Sequence, residues 1–426
     1  MSSLLKTVQR DSLSQTNKKG HTITPKLIEI IFGAASMGRW NDYPRFMELT
    51  ELDKQAHKFI IAYLLASIEN QEKQNSIDMY NLIESGIFEF FRRVIVTDIR
   101  PDVFHDVLKK KEAELNNWVI DKLTPDLKEI VNGEFLKKFT SYLKDSNINK
   151  KERELLKAAS YIATKWEFNI IYHSSSFLPN IDRVKESIDQ EMEDYYNFIG
   201  IQKLSLNQKL SQVVDLAGRL RFQKRWAQTP RVPETSVLGH MLFVSLLSYF
   251  YSIEIKACKQ RTINNFFTAL FHDLPEALTR DIISPVKYSV PGLDEILSEY
   301  EIIKVNESIL KNVPKNIVKE FSFYLGLFDD KKDEFLDKIF IDKIKIVDDL
   351  SIYNEDKYNP VDGKALKSCD RISAFIEATL SISYGIKSKE LINGKTQILH
   401  ALEKNPKVNG FDFYSLALDI QKEFLQ

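Results

Sequence analysis

Residues 237–250, VLGHMLFVSLLSYF, are apolar on nearly every side when wound into a helix. A helix of that kind belongs at the centre of a bundle, covered by other elements. It carries one imidazole, His240. The rest of the chain agrees with a helical bundle. Glycine is scarce, 14 in 426 residues, and Leu, Ile, Lys and Glu are abundant, which favours helices. Residues 103–122 and 181–200 read as amphipathic helices with solvated charged faces. No segment alternates as a strand would, and breaker-rich stretches fall at 143–152, 228–236, 284–294 and 354–364. The expected fold class is all-α.

The charges nearly cancel, with 59 basic and 60 acidic residues, which argues against a broad electrostatic grip on nucleic acid or anionic lipid. The two cysteines, Cys258 and Cys369, lack metal-ligand spacing. They point to a reducing, cytoplasmic setting without a disulfide framework. The first twenty residues lack an apolar signal region, and no unbroken run of 18 apolar residues occurs, so neither secretion nor a membrane span is expected.

The chemistry concentrates in FHDLPEALTRDIISPVK, residues 271–287. His272 and Asp273 are adjacent, His240 lies upstream and Asp370 downstream. Two imidazoles and two carboxylates suit one divalent ion: Mn, Co, Fe, Ni, Zn or, less well, Mg. An octahedral ion held by four side chains keeps positions for water and a phosphate oxygen. Glu276, four residues after His272, shares its helix face and can serve as a general acid or base. Asp281 is a second candidate acid, and Arg225, Arg280 and Lys287 are candidates for phosphate charge. A second dipeptide, His105-Asp106, sits in a charged amphipathic stretch and reads as a surface pair. His21, His173 and His400 have no partners at informative spacing.

An internal repeat with a period near 183 residues runs through the chain. Gly38-Arg39-Trp40 resembles Lys224-Arg225-Trp226. KQAHKFIIAYLLA around His57 overlays VLGHMLFVSLLSY around His240. Residues 87–103 overlay 270–286, setting Glu89 against His272, Phe90 against Asp273 and Asp98 against Asp281. Residues 155–167 overlay 365–377, setting Ser160 against Asp370. The expected organisation is a degenerate helical domain over 1–200 and a metal-bearing domain over 201–426, packed as an intrachain pseudo-dimer.

These blocks resemble the HD-domain superfamily, and within it the bacterial HD-domain 5'-deoxynucleotidases. Arg225-Trp226 precedes His240 at the family's distance, and ALFHDLPEALTRDIISPVKY resembles its His-Asp block. LKSCDRISAFIEATLSISYG resembles the block around its last metal aspartate. The resemblance spans roughly 215–395 and implies an all-helical bundle around the metal; with the internal repeat, the expectation is two tandem HD-like bundles, the first degenerate. It implies that His240, His272, Asp273 and Asp370 bind the metal and that Glu276 and Asp281 are catalytic. Arg225 and Trp226 would shape a nucleotide pocket. Two departures stand out: Gly239 replaces the family's usual Glu before the first histidine, and Arg280 replaces a glycine. Asp348-Asp349 competes with Asp370 over a shorter match. The implied activity is hydrolysis of a small phosphate ester, a nucleoside 5'-monophosphate first. A phosphodiesterase and a non-catalytic nucleotide sensor are the alternatives, and further homo-oligomerisation is compatible with either.

Overall fold

The structure is a computed structural model that describes residues 23–73, 76–97, 99, 101–206, 208–280, 290–328 and 331–425. Asp281 and Lys287 therefore lie outside the described residues, as do His21 and Asp98.

Helices dominate. In the first half α1 is Pro25–Gly33, α2 Glu51–Glu72, α3 Met79–Val96, α4 Pro101–Leu127, α5 Glu134–Lys144, α6 Lys150–Ser174, α7 Ile181–Glu193 and α8 Ile199–Ser205. In the second, α9 is Lys209–Arg219, α10 Val237–Glu254, α11 Lys259–Phe271, α12 Glu276–Thr279, α13 Leu293–Ser308 and α14 Lys315–Tyr324. The helices α15 Gly363–Ser383, α16 Lys389–Lys404 and α17 Phe413–Phe424 close the fold.

The apolar segment is α10, buried on all sides as expected. By composition it could cross a membrane, yet 89% of that window is buried inside the protein. It packs lengthwise on α11 and crosses α2, the other all-round buried helix. One continuous apolar core runs through both halves. Tyr63 of α2 lies against Phe267 and Phe271 of α11, with ring centroids 4.8 and 5.1 Å apart.

Short strands do occur, contrary to the expectation of none. Asp337–Phe340 is the middle strand of a small antiparallel sheet, flanked by Ile344–Ile346 and Val361–Asp362. Leu327–Phe328 pairs with Lys331–Lys332, and Lys407–Val408 with Phe411–Asp412. Strands of two to four residues are too short to show an alternating pattern. Lys332, expected on a solvated face, is instead largely covered and paired with Glu301 and Glu334.

The sheet leads into α15 and fixes its start. Asp362 is fully buried and accepts hydrogen bonds from Arg261, Asn265 and Asn409. Gly363 follows because a Cβ there would lie 2.3 Å from the Leu336 carbonyl. Asp370, two turns along α15, is delivered by this anchor.

The entry to α2 and the entry to α10 have the same local structure, 186 residues apart. Gly38 bridges Thr50, and Lys224 bridges Ser236, each antiparallel. Arg39 N–H bonds the Leu49 carbonyl as Arg225 N–H bonds that of Thr235. Trp40 and Trp226 share a left-handed backbone, φ 58° and 56°. Thr50 and Ser236 then cap the two helices through their hydroxyls.

These caps correct the expected pairing of His57 with His240. Counting from each cap, His240 corresponds to Lys54, and His57 falls one turn further on. His57 points elsewhere, its Nε2 on the Val214 carbonyl and its Nδ1 beside Arg221.

Candidate metal centre

Three helical segments bring the donors together. His240 stands in the first turn of α10. His272 caps the end of α11 in helical geometry, and Asp273 opens the turn that follows. Asp370 comes from α15. The helix thus ends one residue before His272, and Glu276 begins the short α12 rather than continuing the same helix.

The ligand atoms of His240, His272 and Asp273 lie within 4.8 Å of one another. Asp273 Oδ2 is 3.2 Å from His272 Nε2 and 3.6 Å from His240 Nε2. Asp370 Oδ1 is 3.2 Å from His240 Nε2. Asp348 and Asp349, the rival to Asp370, are exposed, and Asp349 accepts the Ser351 N–H.

The imidazoles are oriented from behind. His272 Nδ1 lies 2.6 Å from the Ala269 carbonyl. A carbonyl only accepts, so Nδ1 carries the hydrogen and Nε2 presents its lone pair to the cluster. His240 Nδ1 is 2.9 Å from Ser373 Oγ. Both Nε2 atoms are buried, and neither has a hydrogen-bond partner among the described residues. Two buried imidazole nitrogens facing two carboxylates fit a cation between them, and a His₂Asp₂ set suits a divalent ion.

Electrostatics say the same without one. Burial works against charge on His272, but Asp273 outweighs it and raises the pKa. His240 is lowered by burial and by Arg225. Burial also opposes ionisation of Asp273 and Asp370, yet His272 beside the first and His240 beside the second hold both well below the usual carboxylate range.

Arg225 faces this cluster, 3.9 Å from Asp273 and 3.9 Å from Glu377. Burial disfavours its charge, and Glu377, Asp273 and Asp370 restore it. Trp226 donates its indole N–H to Glu377 at 2.9 Å, and its ring lies where a Cβ on Gly394 would be 2.7 Å away. Glu276 anchors the loop differently: its carbonyl accepts from Gln223. Arg280 is exposed, and the structure does not bring it to the cluster.

Glu377 is the residue that sequence reasoning missed. It is 1% exposed and gathers Trp226, Arg225, Arg231 and Thr235. Its counterpart Glu167 accepts from Arg39, Trp40 and Arg221. The signal was present, since the overlay of 155–167 on 365–377 aligns these two carboxylates. Lys367 is a second omission, its ammonium 3.5 Å from Asp370 Oδ2 and 4.2 Å from the Phe335 ring centre. A cavity of about 1320 Å³ lies apart from these residues, between α6, α7 and α9.

The corresponding place in the first half is closed. Lys54 donates to Ser160, which stands opposite Asp370 in the overlay. Around them Glu51 pairs with Arg39 and Arg93, and Lys58 with Glu89. Burial pulls the Lys54 pKa down to about 7.

Residues 217–399 match the HD domain family. This segment is similar to the HD domain. Two relatives match the chain at low identity. A 5'-deoxynucleotidase of Pasteurella multocida is 25% identical over 120 residues, 28% of this chain and 61% of that protein. A 5'-deoxynucleotidase of Yersinia pseudotuberculosis is 24% identical over 218 residues, 47% of this chain and 91% of that protein. The matched segment spans the residues of the His₂Asp₂ cluster.

Proposed function

We propose that the chain is a metal-dependent phosphohydrolase acting on a phosphomonoester, with a nucleoside 5'-monophosphate as substrate. One observation carries the reading: two buried imidazole Nε2 atoms, without partners among the described residues, converge with two carboxylates beside a half-buried arginine. The HD domain and the two 5'-deoxynucleotidase relatives support the reaction class.

His240, His272, Asp273 and Asp370 would hold the ion. A divalent cation there supplies Lewis acidity, polarising a phosphoryl oxygen and acidifying a water. Arg225 receives a phosphate oxygen, because its loose pairs with Asp273 and Glu377 leave guanidinium hydrogens for a third acceptor. Trp226 and Glu377 hold that arginine's loop in place. Glu276 moves the proton between water and the leaving oxygen. Asp281 and Lys287 keep their expected roles as a further acid and a phosphate cation, and Arg280, which is exposed, has no part in this reading. The first half, residues 1–200, is a degenerate copy serving as intrachain partner.

Phosphate release from a panel of ribo- and deoxyribonucleoside 5'-monophosphates, with Mn²⁺, Co²⁺ or Mg²⁺, tests this. Wild type should release phosphate, and Asp273→Ala should not. No turnover with any metal would sink the hydrolase reading, and binding alone would favour a sensor. Cyclic nucleotides in the same panel separate diester from monoester cleavage.

A further inference from the structure

The helices α2 and α10 begin side by side, and one carboxylate lies between their first turns. Ser236, the N-cap of α10, accepts the Gly239 N–H at 2.9 Å and donates to Asp53 Oδ1 at 2.5 Å. The Ser236 carbonyl accepts the N–H of His240 itself. Asp53 belongs to the other half, where it stands three residues after the N-cap Thr50, and it is 4% exposed.

The third helical position commonly holds an acid that closes the helix's own N-terminus. In α2 that residue is Asp53, and in α10 it is Gly239. The glycine is sterically required. A Cβ there would lie 2.8 Å from Asp53 Oδ1 and 3.1 Å from Leu52 Cδ2. Two helix N-termini, each with a partial positive charge, thus share one acid supplied by α2. The glycine that departs from the family pattern is the opening through which that acid enters.

We propose that Asp53 is a positioning residue for the metal centre. Through Ser236 it locks the first turn of α10, and with it His240, from the opposite half of the chain. The first half therefore completes the site without contributing a ligand. This rests on the metal-centre reading above.

The test is calorimetric titration of the full chain with Mn²⁺. Asp53→Ala should weaken Mn²⁺ binding about tenfold, the lower range for losing a residue that supports a ligand. Asp53→Asn should stay near wild type, because its amide oxygen still accepts the Ser236 hydroxyl. Gly239→Ala should weaken binding too, since its Cβ displaces the carboxylate. The double variant should be no weaker than the worse single one. Asn116→Ala, which removes a first-half hydrogen bond to the Leu143 carbonyl, should lower thermal stability and leave the Mn²⁺ affinity unchanged. Wild-type affinity in Asp53→Ala, or additive losses in the double variant, would overturn the proposal alone. A wild type that binds no Mn²⁺ would overturn the metal reading and this proposal with it.

Discussion

Trp40 and Trp226 turn the chain with the same left-handed backbone, and each indole N–H rests on a buried glutamate. One helical turn beyond the caps the halves part. The first has Lys54 on Ser160; the second has His240 facing Asp370. The loop, the buried carboxylate and the cap occur in both halves, whereas the His₂Asp₂ donors lie in the second alone among the described residues. The frame of such a site is therefore separable from its ligands. In the first half Arg39, Arg93, Glu51 and Glu167 form a closed ion network. Buried pairs of that kind add little net stability, but removing one partner is costly, so the network holds itself in place. In the second half the lone pairs are left open.

The largest contrast should appear in turnover. Asp273→Ala should lose about 10³-fold in kcat/KM with Mn²⁺, because a ligand is gone. Ser160→Ala, on the other side, should leave it unchanged. Metal titration of wild type should saturate at one ion per chain, and two ions would break the comparison.

The paired glutamates come next. Glu377→Gln should lower kcat/KM roughly 10- to 100-fold by releasing Arg225 and Trp226, a loss read from steady-state kinetics. Glu167→Gln should instead cost about 3 kcal/mol in urea unfolding, since it leaves buried Arg221 and Arg39 short of a partner. Its folded fraction should turn over normally. Equal kinetic losses in both variants would mean that Glu167 also acts on the site.

A further contrast concerns pH. Lys54 titrates at about 7 in the fold, against its ordinary 10.5, with Glu51, Arg39, Lys58 and Glu167 around it. Between those values the unfolded chain binds the extra proton, so stability rises with pH across that window. Its slope is on the order of 1 kcal/mol per pH unit. Lys338, also pulled down by burial, adds to the rise. The difference between wild type and Lys54→Met, in urea midpoints from pH 7 to 10, isolates the Lys54 share. No difference would mean that Lys54 is not held as described.

Much of this was legible before any coordinates. An all-round apolar stretch becomes the central helix because nothing else can cover it. His240, His272, Asp273 and Asp370 were readable from residue type and order, and they do converge. The Arg-Trp pairs marked the two entry loops, and both loops have the same bridge.

Other features needed the third dimension. Lys54 and His57 stand one turn apart on α2, so helical periodicity fits either of them opposite His240. Only the caps at Thr50 and Ser236 settle the register. Glu167 and Glu377 look like ordinary helix carboxylates until burial shows what they gather. Gly239 looks like a loss until Asp53 is seen beside it. Local pattern carries helix faces and donor types, because both depend on near neighbours along the chain. Which half lends its carboxylate to which helix depends on a contact across 183 residues, and packing alone makes that contact.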